Sequence, residues 1–92
     1  MPPVQNQDCP LCLKPATFFF VDADNRKHFR CSHCVEFQIS RSAEKQLTED
    51  RRTQLSLMAR ESNDEKVLVV TSPSPGEKLS VVAEFVLRTK LP

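Results

Sequence analysis

Apolar and polar positions alternate most cleanly at Glu36-Phe37-Gln38-Ile39, which puts Phe37 and Ile39 on one side of an extended chain. Upstream, Ala16-Thr17-Phe18-Phe19-Phe20-Val21 is rich in β-formers, bounded by Pro15 and the turn cluster Asp22-Ala23-Asp24-Asn25. Arg26-Lys27-His28-Phe29-Arg30 then runs back as its partner. Successive side chains of a strand point to opposite faces, so Phe18, Phe19 and Phe20 cannot share one. One face of this run must be covered from outside its own hairpin. The C-terminal half of the chain is the expected cover, with a partner protein as the alternative.

The period changes after residue 41. Leu47, Leu55, Met58 and Ala59 fall near one face at helical spacing, with Arg51, Arg52 and Glu61 on the solvated side. Ser42 and Thr48 are candidate N-caps, and Glu49-Asp50 suits the positive end of a helix dipole. The pattern predicts one helix from about 43 to 61, with a break allowed at Thr48. Val67-Leu68-Val69-Val70-Thr71 reads as a buried strand. Ser72-Pro73-Ser74-Pro75-Gly76 is a loop. Residues 79–88 fit both periods: alternation groups Leu79, Val81, Ala83, Phe85 and Leu87, and helical spacing groups Val81, Val82, Phe85 and Val86. Valine enrichment favours a strand, hence a hairpin with 67–71.

Ninety-two residues bound the chain to one small domain, near the size at which a hydrophobic core alone barely suffices. No apolar run approaches the roughly 20 residues that cross a bilayer. Formal net charge is +1, with basic and acidic residues balanced in both halves. A dedicated nucleic-acid binder more often shows a basic stripe, so that class loses weight.

Cysteine changes the picture. All four lie in two pairs, Cys9-Pro10-Leu11-Cys12 and Cys31-Ser32-His33-Cys34, with eighteen residues between them. Four thiolates at this spacing can surround one zinc ion tetrahedrally. Nothing at the start of the sequence reads as a secretory leader, which favours a reducing cytoplasm and metal over disulfides. A thioredoxin-like redox pair would need only one CxxC in a βαβ setting. One structural zinc per chain is therefore expected on Cys9, Cys12, Cys31 and Cys34, supplying folding free energy that so small a ribbon lacks. His33 is an alternative ligand that a solvent-facing loop position disfavours.

With these knuckles and the intervening strands in hand, residues 9–39 resemble a zinc ribbon. More loosely, residues 27–47 resemble zinc-ribbon modules at the front of uncharacterised bacterial proteins. The resemblance implies a ribbon fold, zinc on the four cysteines and a bacterial or phage origin, and it implies no activity. Such knuckles often carry glycine directly after the second cysteine; here those positions hold Leu13 and Val35.

The expected architecture is α+β in a single domain. A flexible arm (1–8) leads to an N-terminal zinc ribbon of two to three antiparallel strands (9–41). A central amphipathic helix (42–62) and a C-terminal hairpin (66–90) follow. With all four ligand positions filled by protein, the zinc has no place for substrate, so a non-enzymatic module that binds a protein partner is expected. The alternative is a nucleic-acid-binding ribbon using Arg26, Lys27, His28 and Arg30, with Lys14, around Phe18 and Phe20. A weaker one is a thiolate switch that releases zinc on oxidation. Self-association through an uncovered strand edge is allowed.

Overall fold

The structure, a computed structural model, describes residues 3–21, 25–72 and 81–91. The expected turn residues 22–24, and 73–80 with the expected loop around Gly76 and the expected strand position Leu79, lie outside the described residues. One six-stranded sheet runs in the order β1 (Gln5–Asp8), β2 (Pro15–Val21), β3 (Arg26–Cys31), β4 (Val35–Ser40), β5 (Lys66–Thr71), β6 (Val82–Leu87). Neighbours are antiparallel except β4 and β5, which run parallel. A parallel pair cannot be closed by a tight turn. The crossover holds two helices, α1 (Arg41–Lys45) and α2 (Glu49–Ala59).

This corrects the α+β layout of ribbon, central amphipathic helix and separate hairpin. The chain is mostly β, with 45% of the described residues in strands and 24% in helix. The single helix expected over 43–61 is two short ones. Ser40, not Ser42, caps α1 by accepting from the Ala43 N–H, and Thr48 caps α2 by accepting from Arg51. Leu47 reaches the core from the link between them. In α2 only Leu55, Ser56 and Ala59 are buried, while Leu57 is 59% exposed, so the amphipathic stripe is narrow. The expected arm is corrected too: its residues Gln5–Asp8 form β1 and pair with β2. Within 79–88, Val82–Leu87 is strand.

The register explains the triple phenylalanine. Phe18, Phe29, Phe37, Leu68 and Phe85 stand side by side across β2–β6, on the face that the buried helix residues Ala43, Leu55 and Ala59 cover. Phe18 lies 5.2 Å from Phe29, and Phe29 lies 5.2 Å from Phe37, ring centroid to centroid. Phe20 joins this core, and Phe19 alone turns to the other face, stacked on His28 at 4.8 Å. The C-terminal half thus helps to cover Phe18 and Phe20.

That other face carries a chain of polar contacts whose direction can be read from its ends. Arg26 can only donate, so it fixes the Gln38 Oε1 as acceptor (3.3 Å) and turns Gln38 Nε2 towards His28 Nδ1 (2.9 Å). His28 Nδ1 must then accept, leaving its Nε2–H to donate to the Glu36 carboxylate. Arg88 closes the chain with two hydrogen bonds to Glu36, at 2.6 and 3.1 Å. Burial lowers the His28 pKa, consistent with a neutral ring, although Glu36 pulls the other way. Glu36 is held down at about 2, first by Arg88 and then by His28, against the upward push of its own burial. The result clasps β3, β4 and the 3-10 turn Arg88–Lys90.

Candidate metal centre

The β1–β2 connection and the β3–β4 connection are the two cysteine knuckles. Asp8 pairs with Pro15 at the end of the first hairpin, and Cys31 pairs with Val35 at the tip of the second. Because β2 and β3 are neighbours, both tips lie at the same end of the sheet. The four sulfurs of Cys9, Cys12, Cys31 and Cys34 consequently all lie within 4.8 Å of one another. Between the knuckles, Cys9 Sγ lies 3.8 Å from Cys34 Sγ and Cys12 Sγ lies 3.4 Å from Cys31 Sγ. A tetrahedron with Zn–S of about 2.3 Å has edges of about 3.8 Å, so the sulfurs already stand at the spacing a metal requires. All four cysteines are free thiols. The donor set fits a soft, tetrahedral ion. His33 is exposed and takes no part in the cluster.

Both knuckles close in the left-handed region despite their sequence. Leu13 has φ 64° and Val35 has φ 71°, the positions where such turns often use glycine. A side chain with a Cβ costs roughly 1–2 kcal/mol there, and a β-branched valine is the less tolerated of the two. The turns hold because the Leu13 N–H reaches Cys9 O at 2.8 Å and the Glu36 N–H reaches Cys34 O at 3.0 Å. Val35 is exposed, so removing its side chain sacrifices little packing. Val35→Gly should raise stability by about 1 kcal/mol, after allowing for the greater freedom of unfolded glycine. Urea unfolding at fixed excess zinc measures it; equal or lower stability would contradict the strain argument.

Helix α2 reaches the same site. Ser56 Oγ lies 3.0 Å from Cys34 Sγ, and the His33 N–H points at Cys31 Sγ from 3.4 Å. As free thiols, Cys9 and Cys12 have pKa values raised, Cys9 first by its hydrogen bond with Cys34 and Cys12 first by burial. A cation among the sulfurs reverses this, since it favours the thiolates. Lys14, His33 and Arg52 border a cleft of about 430 Å³ between the first knuckle and α2, together with Cys12, Leu13, Glu49 and Leu57. The Lys14 ammonium and the Arg52 guanidinium thus lie where a four-thiolate metal centre would carry net negative charge. Sequence reading missed Ser56, because nothing in Gln54-Leu55-Ser56-Leu57 signals a contact twenty-two residues away.

The basic quartet Arg26, Lys27, His28 and Arg30 does not form one surface. Strand alternation places Lys27 on the helix-covered face, where its ammonium lies 3.1 Å from Glu44 and 4.9 Å from the Phe18 ring centroid. Arg26 and His28 belong to the polar chain described above. Arg30 is 72% exposed at its side chain, with its Nε 3.9 Å from the Glu36 carboxylate. No family model matches the chain, and no curated protein or solved structure matches it.

Proposed function

We propose that the protein is a small non-enzymatic module that holds one structural zinc ion on Cys9, Cys12, Cys31 and Cys34 and binds a protein partner. The observation that carries the zinc reading is the enclosure of one point by four sulfurs at tetrahedral spacing. Four protein ligands complete the shell and leave no position for a substrate or an activated water. The zinc supplies folding free energy, tying two hairpin tips to each other and, through Ser56, to α2.

The partner reading is supported by exposed apolar side chains beside the metal centre. Leu13 is 62% exposed and Leu57 59%, and the two face the same cleft. An apolar side chain of a partner protein would bury both, at about 25 cal/mol per Å² removed from water. The nucleic-acid reading loses support from the splitting of the basic quartet. The test compares the zinc-loaded wild type with Leu57→Asp and Arg30→Glu. Capture of one defined protein that survives moderate salt, persists in Arg30→Glu and is lost in Leu57→Asp is expected. Binding to a labelled single-stranded oligonucleotide that weakens steeply with salt and fails in Arg30→Glu would replace this reading with the nucleic-acid one.

A further inference from the structure

The two edges of the sheet are built differently. The β1 edge is four residues, Gln5-Asn6-Gln7-Asp8, short and polar in the way that discourages strand pairing. The β6 edge, Val82-Ala83-Glu84-Phe85-Val86-Leu87, is six residues with one charge and neither lysine nor proline. Val82 is 45% exposed and Leu87 48%. Among the described residues, no strand pairs with the outer side of β6.

The direction of its free backbone groups can be deduced. The Arg88 N–H donates to Glu65 O at 2.9 Å, just beyond the last β5–β6 pair, Lys66 with Leu87. Hydrogen-bonded and non-hydrogen-bonded pairs alternate along an antiparallel ladder. Val86, Glu84 and Val82 therefore turn their N–H and C=O groups towards β5, and Leu87, Phe85 and Ala83 turn theirs outward. Those three residues share one face, that of the helices, because alternate side chains do.

We infer that β6 pairs antiparallel with β6 of a second copy of this chain, around a two-fold axis at Phe85. Only residues with outward backbone groups can exchange ladder bonds, so each member of Ala83, Phe85 and Leu87 must meet another member. Centring on Phe85 uses all three: Phe85 opposes its own copy, and Ala83 opposes Leu87 in both directions. The arrangement satisfies six hydrogen bonds and sets Leu87 against Ala83 and Phe85 against Phe85 on the helix side. Glu84 then opposes Val86. A one-step shift that centres on Glu84 would oppose two like charges and lose bonded pairs, so charge and backbone select the same register. With a net charge of +1, two copies repel each other little. The two sheets join with their helices on the same side.

The inference concerns a different surface from the Leu13–Leu57 cleft, the β6 edge, and does not depend on the reading proposed for that cleft. Its test is sedimentation of the zinc-loaded full chain from low micromolar to several hundred micromolar, with amide hydrogen exchange followed by NMR. A monomer–dimer equilibrium is expected, and in the dimer the Ala83, Phe85 and Leu87 amides exchange as slowly as those of Val82, Glu84 and Val86. Leu87→Lys places a charge on an already exposed position and should weaken the dimer at least about tenfold, about 1.4 kcal/mol. Val4→Lys, beside the other edge, should leave it unchanged. A monomer throughout, fast exchange at residues 83, 85 and 87 in an assembled species, or a dimer indifferent to Leu87→Lys would each overturn the inference. Zinc content of the same samples is read separately, so failure of the dimer is not confused with failure of the metal site.

Discussion

Stripping the metal with excess chelator should unfold the chain, and Cys31→Ser should produce the same state without chelator. The sulfurs join the tip of β1–β2 to the tip of β3–β4, and Cys34 is the point where α2 touches the site. Binding of a structural zinc is worth about 10–16 kcal/mol in small zinc domains at neutral pH. A domain of this size has a net stability of about 5–15 kcal/mol, so losing the metal removes most or all of it. Two strained residues, Leu13 and Val35, add to the imbalance once nothing holds the turns closed. The chain contains no Trp or Tyr, so the change is followed by far-ultraviolet circular dichroism and amide NMR rather than fluorescence. Collapse of amide dispersion, reversed by returning zinc, is the expected result. A chelated protein that keeps its dispersed spectrum would show that the sheet and its phenylalanine core are sufficient alone.

The second large effect belongs to Glu36. Its carboxylate accepts from the two Arg88 Nη atoms and from His28, and its pKa falls from an ordinary 4.5 to about 2. At about 1.4 kcal/mol per pKa unit the pairing has a ceiling near 3 kcal/mol. Arg88 is one-third exposed and can regain water, which discounts that figure. Glu36→Gln should therefore cost about 2 kcal/mol at pH 7, measured by urea unfolding with zinc bound. The sign of the pH dependence follows from a depressed carboxylate. The stabilisation is fully present above pH 4.5 and is lost as pH falls through about 2. Acid also protonates the thiolates and releases the metal, so the gap between wild type and Glu36→Gln is read only while zinc stays bound. There it should hold steady down to about pH 5 and not grow as the pH falls. A gap that is absent at pH 7, or that widens in acid, would contradict the clasp.

How much of this was legible beforehand depends on the range of the contact involved. The four cysteines and the β2–β3 hairpin between them were readable because local spacing and alternation specify them. The Thr48 cap was readable for the same reason, being a signal three residues long. The parallel pairing of β4 with β5 was not, since residues 36–39 and 67–71 carry no mark of each other. Without it, the ribbon and the C-terminal hairpin are expected to pack together in one domain but not to share one continuous sheet. The Glu36–Arg88 pair spans 52 positions and was invisible for that reason. The basic quartet misled because composition along a strand ignores the side-to-side alternation that sends Lys27 to Glu44 and His28 to Gln38. Leu13 and Val35 argued against regular knuckles, yet the turns adopt the glycine-like conformation because the hairpin ends and the sulfur positions together determine it.

The most direct test of the central claim is native mass spectrometry of untagged protein purified under reducing conditions, before and after chelation. One zinc per chain, absent from Cys31→Ser and removed together with the compact charge states, is the result expected of a structural four-thiolate centre. A compact, metal-free chain, or one carrying disulfides among Cys9, Cys12, Cys31 and Cys34, would contradict it.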